Sequence, residues 1–277
     1  MVRDGAGEGV LHWLFCALAV LFASEASAEP RRVASLDYCA DQFVLALADR
    51  DQIVALSRGS QRDDSYYRDR ARGIRQTRGT LEEVLALRPD LVVRNWGGPW
   101  DAEAVYARFD VPVVQVGDAP NFDVAREDLL DAARAIGHSE RGAALARDLD
   151  LRRQRLRGAA TNSPRPVLYL SAGGAVAGSG TMMQSVIEAA GGRNVHRGES
   201  WTVLPLERLV EMPPALIALG FFDHGRSRVN PWLPGRHPAL RDALARADTV
   251  RLPTAAIACE AWFAIDAAEA LAAALRS

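Results

Sequence analysis

Lysine is absent from this chain, so all 33 of its Lys-plus-Arg positions are arginine. Without a lysine amine there is no Schiff-base or pyridoxal-phosphate chemistry, no Walker lysine and no Ser-Lys dyad. A dominant charge is lacking too. The formal net charge is -2, which gives nucleic acid or an anionic surface nothing to grip. Histidines are few, and His138, His196, His224 and His237 fall into no H-x-x-x-H or similar spacing. A metal site of three imidazoles therefore has no support. The glycine-rich stretch 173–180, GGAVAGSG, lacks the Lys-Ser/Thr of a phosphate loop and does not read G-x-S-x-G. Ser179 is thus no nucleophile, and no catalytic residue emerges elsewhere.

Long apolar runs are equally scarce. The single one, residues 10–23, is too short to span a bilayer and is followed by Ala26-Ser27-Ala28. It reads as a signal peptide covering residues 1–28 and cleaved after Ala28, which makes the mature chain an exported one. Cys16 has no lipoprotein box around it, so no lipid anchor is expected. Beyond the leader only Cys39 and Cys259 remain. An even pair in an oxidising compartment favours a Cys39–Cys259 disulfide, with two separate buried thiols as the alternative.

What the chain does contain is organised around residues 139–157, SERGAALARDLDLRRQRLR. Gly137 closes the helix before it, Ser139 is a good N-cap and Gly158 stands where a C-cap glycine belongs. Leu145, Leu149 and Leu156 recur at near-helical spacing. A helix of this length is about 28 Å long, the width of a small domain.

On either side lies a copy of one pattern: TLEEVLALRPDLVV at 80–93 and PLERLVEMPPALIA at 205–218. Leu81 and Leu206, Glu82 and Glu207, Val84 and Leu209, Pro89 and Pro214, and Leu91 and Leu216 match at one offset. Each copy is a short amphipathic helix, a proline and an apolar strand. Two distant copies mean two similar lobes, unless they only reflect how common such units are in α/β proteins. The expected fold is α/β, two doubly wound parallel-sheet lobes joined by one long helix. The lobes are residues 29–138 and 161–277, and the interlobe helix is residues 139–160. A single continuous helix lacks paired hinge loops, so lobe closure should be small.

In such sheets ligands sit beyond the carboxyl ends of the strands. The residues expected there are Asp37, Tyr38, Ser57, Arg58, Asn95, Trp96, Gly117 and Asp118 in the first lobe. The second lobe gives residues 171–174, Phe222, Asp223, His224 and Trp262, with Trp201 just before its helix. This set is aromatic and carries few charges, which suits a flat, partly apolar ligand. For any one tryptophan, core packing is the alternative.

RVASLDYCADQFVLALA at 32–48, LEEVLALRPDLVV at 81–93 and GSGTMMQSVIEAAGGRNV at 178–195 resemble the periplasmic substrate-binding proteins of iron-siderophore, haem and vitamin B12 uptake. The likeness runs from Val33 to Leu275, and Trp201 with Glu207 is especially similar to the vitamin B12-binding member. The resemblance implies a non-enzymatic partner of an ABC permease and ATPase at the inner membrane. It implies a metal chelate as ligand: a corrinoid first, then a ferric siderophore or haem. No cofactor is expected beyond that ligand, and the protein should be a monomer. Tyr38 and Trp201 match ligand-touching positions, and Trp262 lies in a matching loop. Glu82 and Glu207 match the acidic residues that dock to permease arginines. The arginine-rich segment 58–78 departs from the B12-binding pattern, as a carboxylate-bearing ligand would require. A zinc or manganese carrier of similar build and a periplasmic enzyme on the same scaffold are the alternatives.

Overall fold

The computed structural model describes residues 29–159, 163–203, 214–222 and 238–277. The leader, the helix of the second repeat with Glu207, and the strand-end residues Asp223 and His224 lie outside the described residues.

The first lobe is built on five parallel strands in the order β3-β2-β1-β4-β5. These are β1 (Val33–Ser35), β2 (Ile53–Ser57), β3 (Gln76–Thr77), β4 (Leu91–Arg94) and β5 (Val113–Gln115). Val33, Ala34 and Ser35 are fully buried, as a central strand covered on both faces must be. Helices α1 (Tyr38–Leu47) and α4 (Phe122–Ile136) cover one face through Phe43, Leu47, Leu129 and Ile136. Helices α2 (Leu81–Leu85) and α3 (Ala102–Ala107) cover the other through Val84, Ala102 and Tyr106. Thr80 caps α2 by accepting from the Glu83 amide, but the Glu83 carboxylate turns to Thr77 and to the Arg78 amide. Thr80 and Glu83 stand at capping-box spacing, but only half of the box forms.

Helix α5 spans Ser139–Ala159 and runs straight through Gly158, so that glycine does not end it. Gly137 does cap α4 in left-handed geometry, with φ 90°. The two helices cross closely at Gly142, where a Cβ would stand 2.2 Å from that of Ala133. Leu149 and Leu156 are buried, and Leu149 joins a core that continues from Phe43 to Tyr169 and Leu271. Arg152, midway along α5, pairs with Asp266 and Glu269 of the C-terminal helix (Ile265–Arg276), and Tyr66 of the first lobe donates to Asp266 at 2.7 Å.

The second sheet has the order β11-β10-β6-β8, again parallel. Its strands are β6 (Pro166–Ser171), β8 (Arg193–Asn194), β10 (Leu216–Gly220) and β11 (Asp248–Arg251). Strand β10 lies between β6 and β11 just as β4 lies between β1 and β5, so the strands of the repeated pattern hold equivalent places. Helix α6 (Met182–Ala189) and the C-terminal helix pack on one face. Leu244, from the helix Pro238–Arg246, lies against the other.

Two regions are more ordered than their composition suggests. The glycine-rich stretch carries a strand, β7 (Ala175–Ala177), which pairs antiparallel with β9 (Trp201–Val203), so Trp201 sits on a two-stranded ribbon. The segment 58–78 is no loose surface loop. It is a chain of three-residue turns ending in β3, and Ser60, Ser65 and Ala71 are fully buried. Gln42 of α1 ties it down, donating to Ser65 and accepting from the Tyr67 amide. Tyr66 and Tyr67 pack on Phe263, with Tyr66 stacked at 4.4 Å.

Candidate functional site

The first lobe's wall is assembled by one buried carboxylate. Asp37 ends β1 and caps α1, its Oδ1 accepting from the amides of Cys39 and Ala40. Its Oδ2 accepts from the amides of Asn95, Trp96 and Gly97 beyond β4. The Asn95 side chain in turn donates to Val116 at the end of β5. Three strand ends are thereby fixed against each other, which brings the Tyr38 and Trp96 rings edge-on at 6.2 Å. Close approach demands glycine beside them, since a Cβ on Gly97 would lie 2.5 Å from the Leu36 carbonyl. Trp96 is 60% exposed, so its ring is open to a ligand. The Arg62 guanidinium stands 4.9 Å over the Tyr38 ring and forks onto Asp64. Burial, then the Asp64 charge, pushes the Tyr38 phenol up, and Arg62 pulls it back. Arg58 is exposed at the end of β2.

The second lobe's wall carries Trp201 on β9, its ring 5.6 Å from that of Tyr169 on β6. Beyond β10, Phe222 is 39% exposed. Asp118 after β5 and Phe221 after β10 both hold left-handed backbone, with φ of 59° and 63°. Such strain collects where function over-determines the chain.

The two walls meet at one junction. The Cys39–Cys259 disulfide joins α1 to the segment after β11, with Cα atoms 5.3 Å apart. The Tyr38 hydroxyl donates to the Ala258 carbonyl at 3.4 Å, and the Ala119 amide donates to Glu260 at 3.2 Å. Trp262 belongs to this junction and not to the wall. It is 4% exposed and packs edge-on against Phe43 at 4.9 Å, so the expectation that it faces ligand is corrected. Asp223 lies outside the described residues. Arg62, Tyr169 and Glu260 were missed as site-forming residues, and Asp37, expected at the end of its strand, was not read as the carboxylate that ties in a second loop 58 residues on.

Glu82 is exposed in the first turn of α2 while Val84 points into the core. Its charge contributes to raising the Tyr106 phenol, which burial pushes up to about 12. Among the described residues no group of His, Cys, Asp and Glu could hold a metal ion, and no helix is long and apolar enough to cross a membrane.

Two parallel-sheet lobes on a helical backbone, with aromatic strand ends turned to a shared junction, define a bilobal solute-binding protein. The chain belongs to the periplasmic binding protein family, which matches residues 33–220, and such proteins are not enzymes. A cobalamin-binding protein of Halobacterium salinarum is 30% identical over 205 residues, covering 69% of this chain. The chain spans only 54% of that relative's length. A vitamin B12-binding protein of Pectobacterium carotovorum is 25% identical over 224 residues, 76% of this chain and 79% of the relative. The periplasmic haem-binding protein of Vibrio cholerae superposes with a TM-score of 0.72 at 18% identity, over 89% of this chain and 99% of that one. At that identity the likeness speaks for the fold.

Proposed function

We propose that this protein is the periplasmic substrate-binding component of an ABC importer, and that it captures a corrinoid between its lobes for delivery to the inner-membrane permease. The leader directs export, and the mature chain works as a monomer with no resident cofactor besides the captured chelate. Tyr38, Trp96, Trp201 and Phe222 form apolar walls for a broad flat ring, with Arg58 at the rim and Asp223 as a further contact. The observation that carries this reading is the pair of aromatic walls at the carboxyl ends of both sheets, clamped at one junction. The relatives named for cobalamin and vitamin B12 supply the ligand class. Haem is the second reading, favoured by Arg58 at the rim, which suits a carboxylate.

Glu82 serves as one docking point for permease arginines and Glu207 as its counterpart. The visible absorption and mass spectrum of protein purified from its native periplasm test the ligand class: a corrin spectrum supports the first reading and a Soret band the second. Glu82→Ala with Glu207→Ala should leave ligand affinity intact and abolish stimulation of the transporter's ATPase. Normal transport by that double variant would remove the docking role.

A further inference from the structure

The wall of the second lobe holds an acidic group that the aromatic account does not use. Glu260 follows the disulfide, and its carbonyl is fixed by the Ala119 amide, so it sits where the two lobes touch. Its side chain is half-buried; its charge is felt by Tyr169, and the charge of Asp118, from the first lobe, is felt by it. Burial, then the Asp118 charge, pushes the Glu260 carboxyl above its ordinary range, while a hydrogen bond with the Trp201 side chain holds it down. A carboxyl in that state gains from an incoming N–H donor and is disfavoured further by an incoming anion.

A second observation points into the same place. Tyr169 pairs in register with Ala218, yet its hydroxyl reaches over Gly220, where a Cβ would stand 2.1 Å from it. The ring therefore leans toward the carboxyl ends of β6 and β10. That hydroxyl is buried and has no hydrogen-bond partner among the described residues. Buried hydroxyls are normally paired, so a ligand group that reached this one would satisfy it.

We propose that Glu260, Asp118 and the Tyr169 hydroxyl form a polar floor that selects a ligand with neutral carboxamide arms and rejects one with free carboxylates. The inference rests on the corrinoid reading and deepens it. A carboxamide offers N–H to Glu260 and C=O to Tyr169, matching both groups at once. A propionate would bring a third negative charge beside Glu260 and Asp118. Arg58 at the rim is left to hold a ligand phosphate on the opposite wall.

The test uses the mature chain and a matched pair of probes: cyanocobalamin and its three monocarboxylates, each with one propionamide hydrolysed. Wild type should bind cyanocobalamin at least tenfold more tightly than one or more of the monocarboxylates. Glu260→Gln should reduce that preference to about twofold without changing the thermal midpoint. Asp118→Asn, on an exposed turn, should reduce it independently. An unchanged preference in both variants, or none in wild type, overturns the polar floor while leaving corrinoid binding standing. Failure of wild type to bind any corrinoid removes the functional reading, and the floor with it.

Discussion

A single carboxylate holds two loops of the first lobe together. Asp37 is fully buried and accepts from the amides of Cys39, Ala40, Asn95, Trp96 and Gly97. Asp37→Asn replaces one accepting oxygen with a donor facing those amides. We expect a loss of roughly 3 kcal/mol in urea unfolding, together with weaker ligand binding as Tyr38 and Trp96 lose register. A wild-type midpoint would show that the amides find other partners. Asp41 makes a pH prediction. It is fully buried, and burial pushes its carboxyl up to about 7 against the hydrogen bonds from Ser57. In the unfolded chain it ionises near ~4. Between those values the folded state binds the extra proton, so this residue lowers stability as pH rises from about 4 to about 7, on the order of 4 kcal/mol in all. Asp41→Asn should flatten that slope in denaturant titrations, and an identical slope in the variant would reassign it. Neither aspartate's role was legible from the sequence, because both act through bonds to distant backbone. Trp262 failed for a related reason. An aromatic after a strand reads alike whether it faces solvent or Phe43.

At the scale of elements, what the sequence revealed depended on whether local or tertiary forces set the element. The helix Phe122–Ile136 and the start of α5 were legible from their apolar period and from Gly137, which has a left-handed cap to fill. The end of α5 was not, since a glycine can continue a helix packed along its length. The segment 58–78 misled because its polarity suggests solvent, whereas its order comes from Gln42, Tyr66 and Tyr67 meeting other elements. The Cys39–Cys259 pair was legible as a pairing of two remaining thiols. It closes a loop with a sequence separation of 220 and ties α1 to the return segment carrying Glu260. Replacing both cysteines with serine should lower stability by about 5 kcal/mol on the chain-entropy account. Calorimetry with and without reductant checks this: reductant should shift wild type toward the double variant and leave the variant unmoved. A wild type indifferent to reductant under denaturing conditions would contradict it.

The whole molecule repeats one plan. The order β2-β1-β4-β5 in one lobe corresponds to β8-β6-β10-β11 in the other, and this two-fold design was legible in the matched segments at 80–93 and 205–218. The cleft between the lobes was legible only as a consequence of parallel sheets; its walls and floor required the fold to bring Tyr38, Tyr169 and Glu260 to one junction. Helix α5 is tied through Arg152 to Asp266 and Glu269 of the C-terminal helix. The central claim is that the facing aromatics bind a corrinoid there. Titration of the mature chain with cyanocobalamin, followed by tryptophan emission, tests it most directly. The account predicts saturable quenching at one ligand per chain, with affinity weakened at least tenfold in both Trp96→Ala and Trp201→Ala. Quenching that does not saturate, or affinity unchanged in both variants, would contradict it.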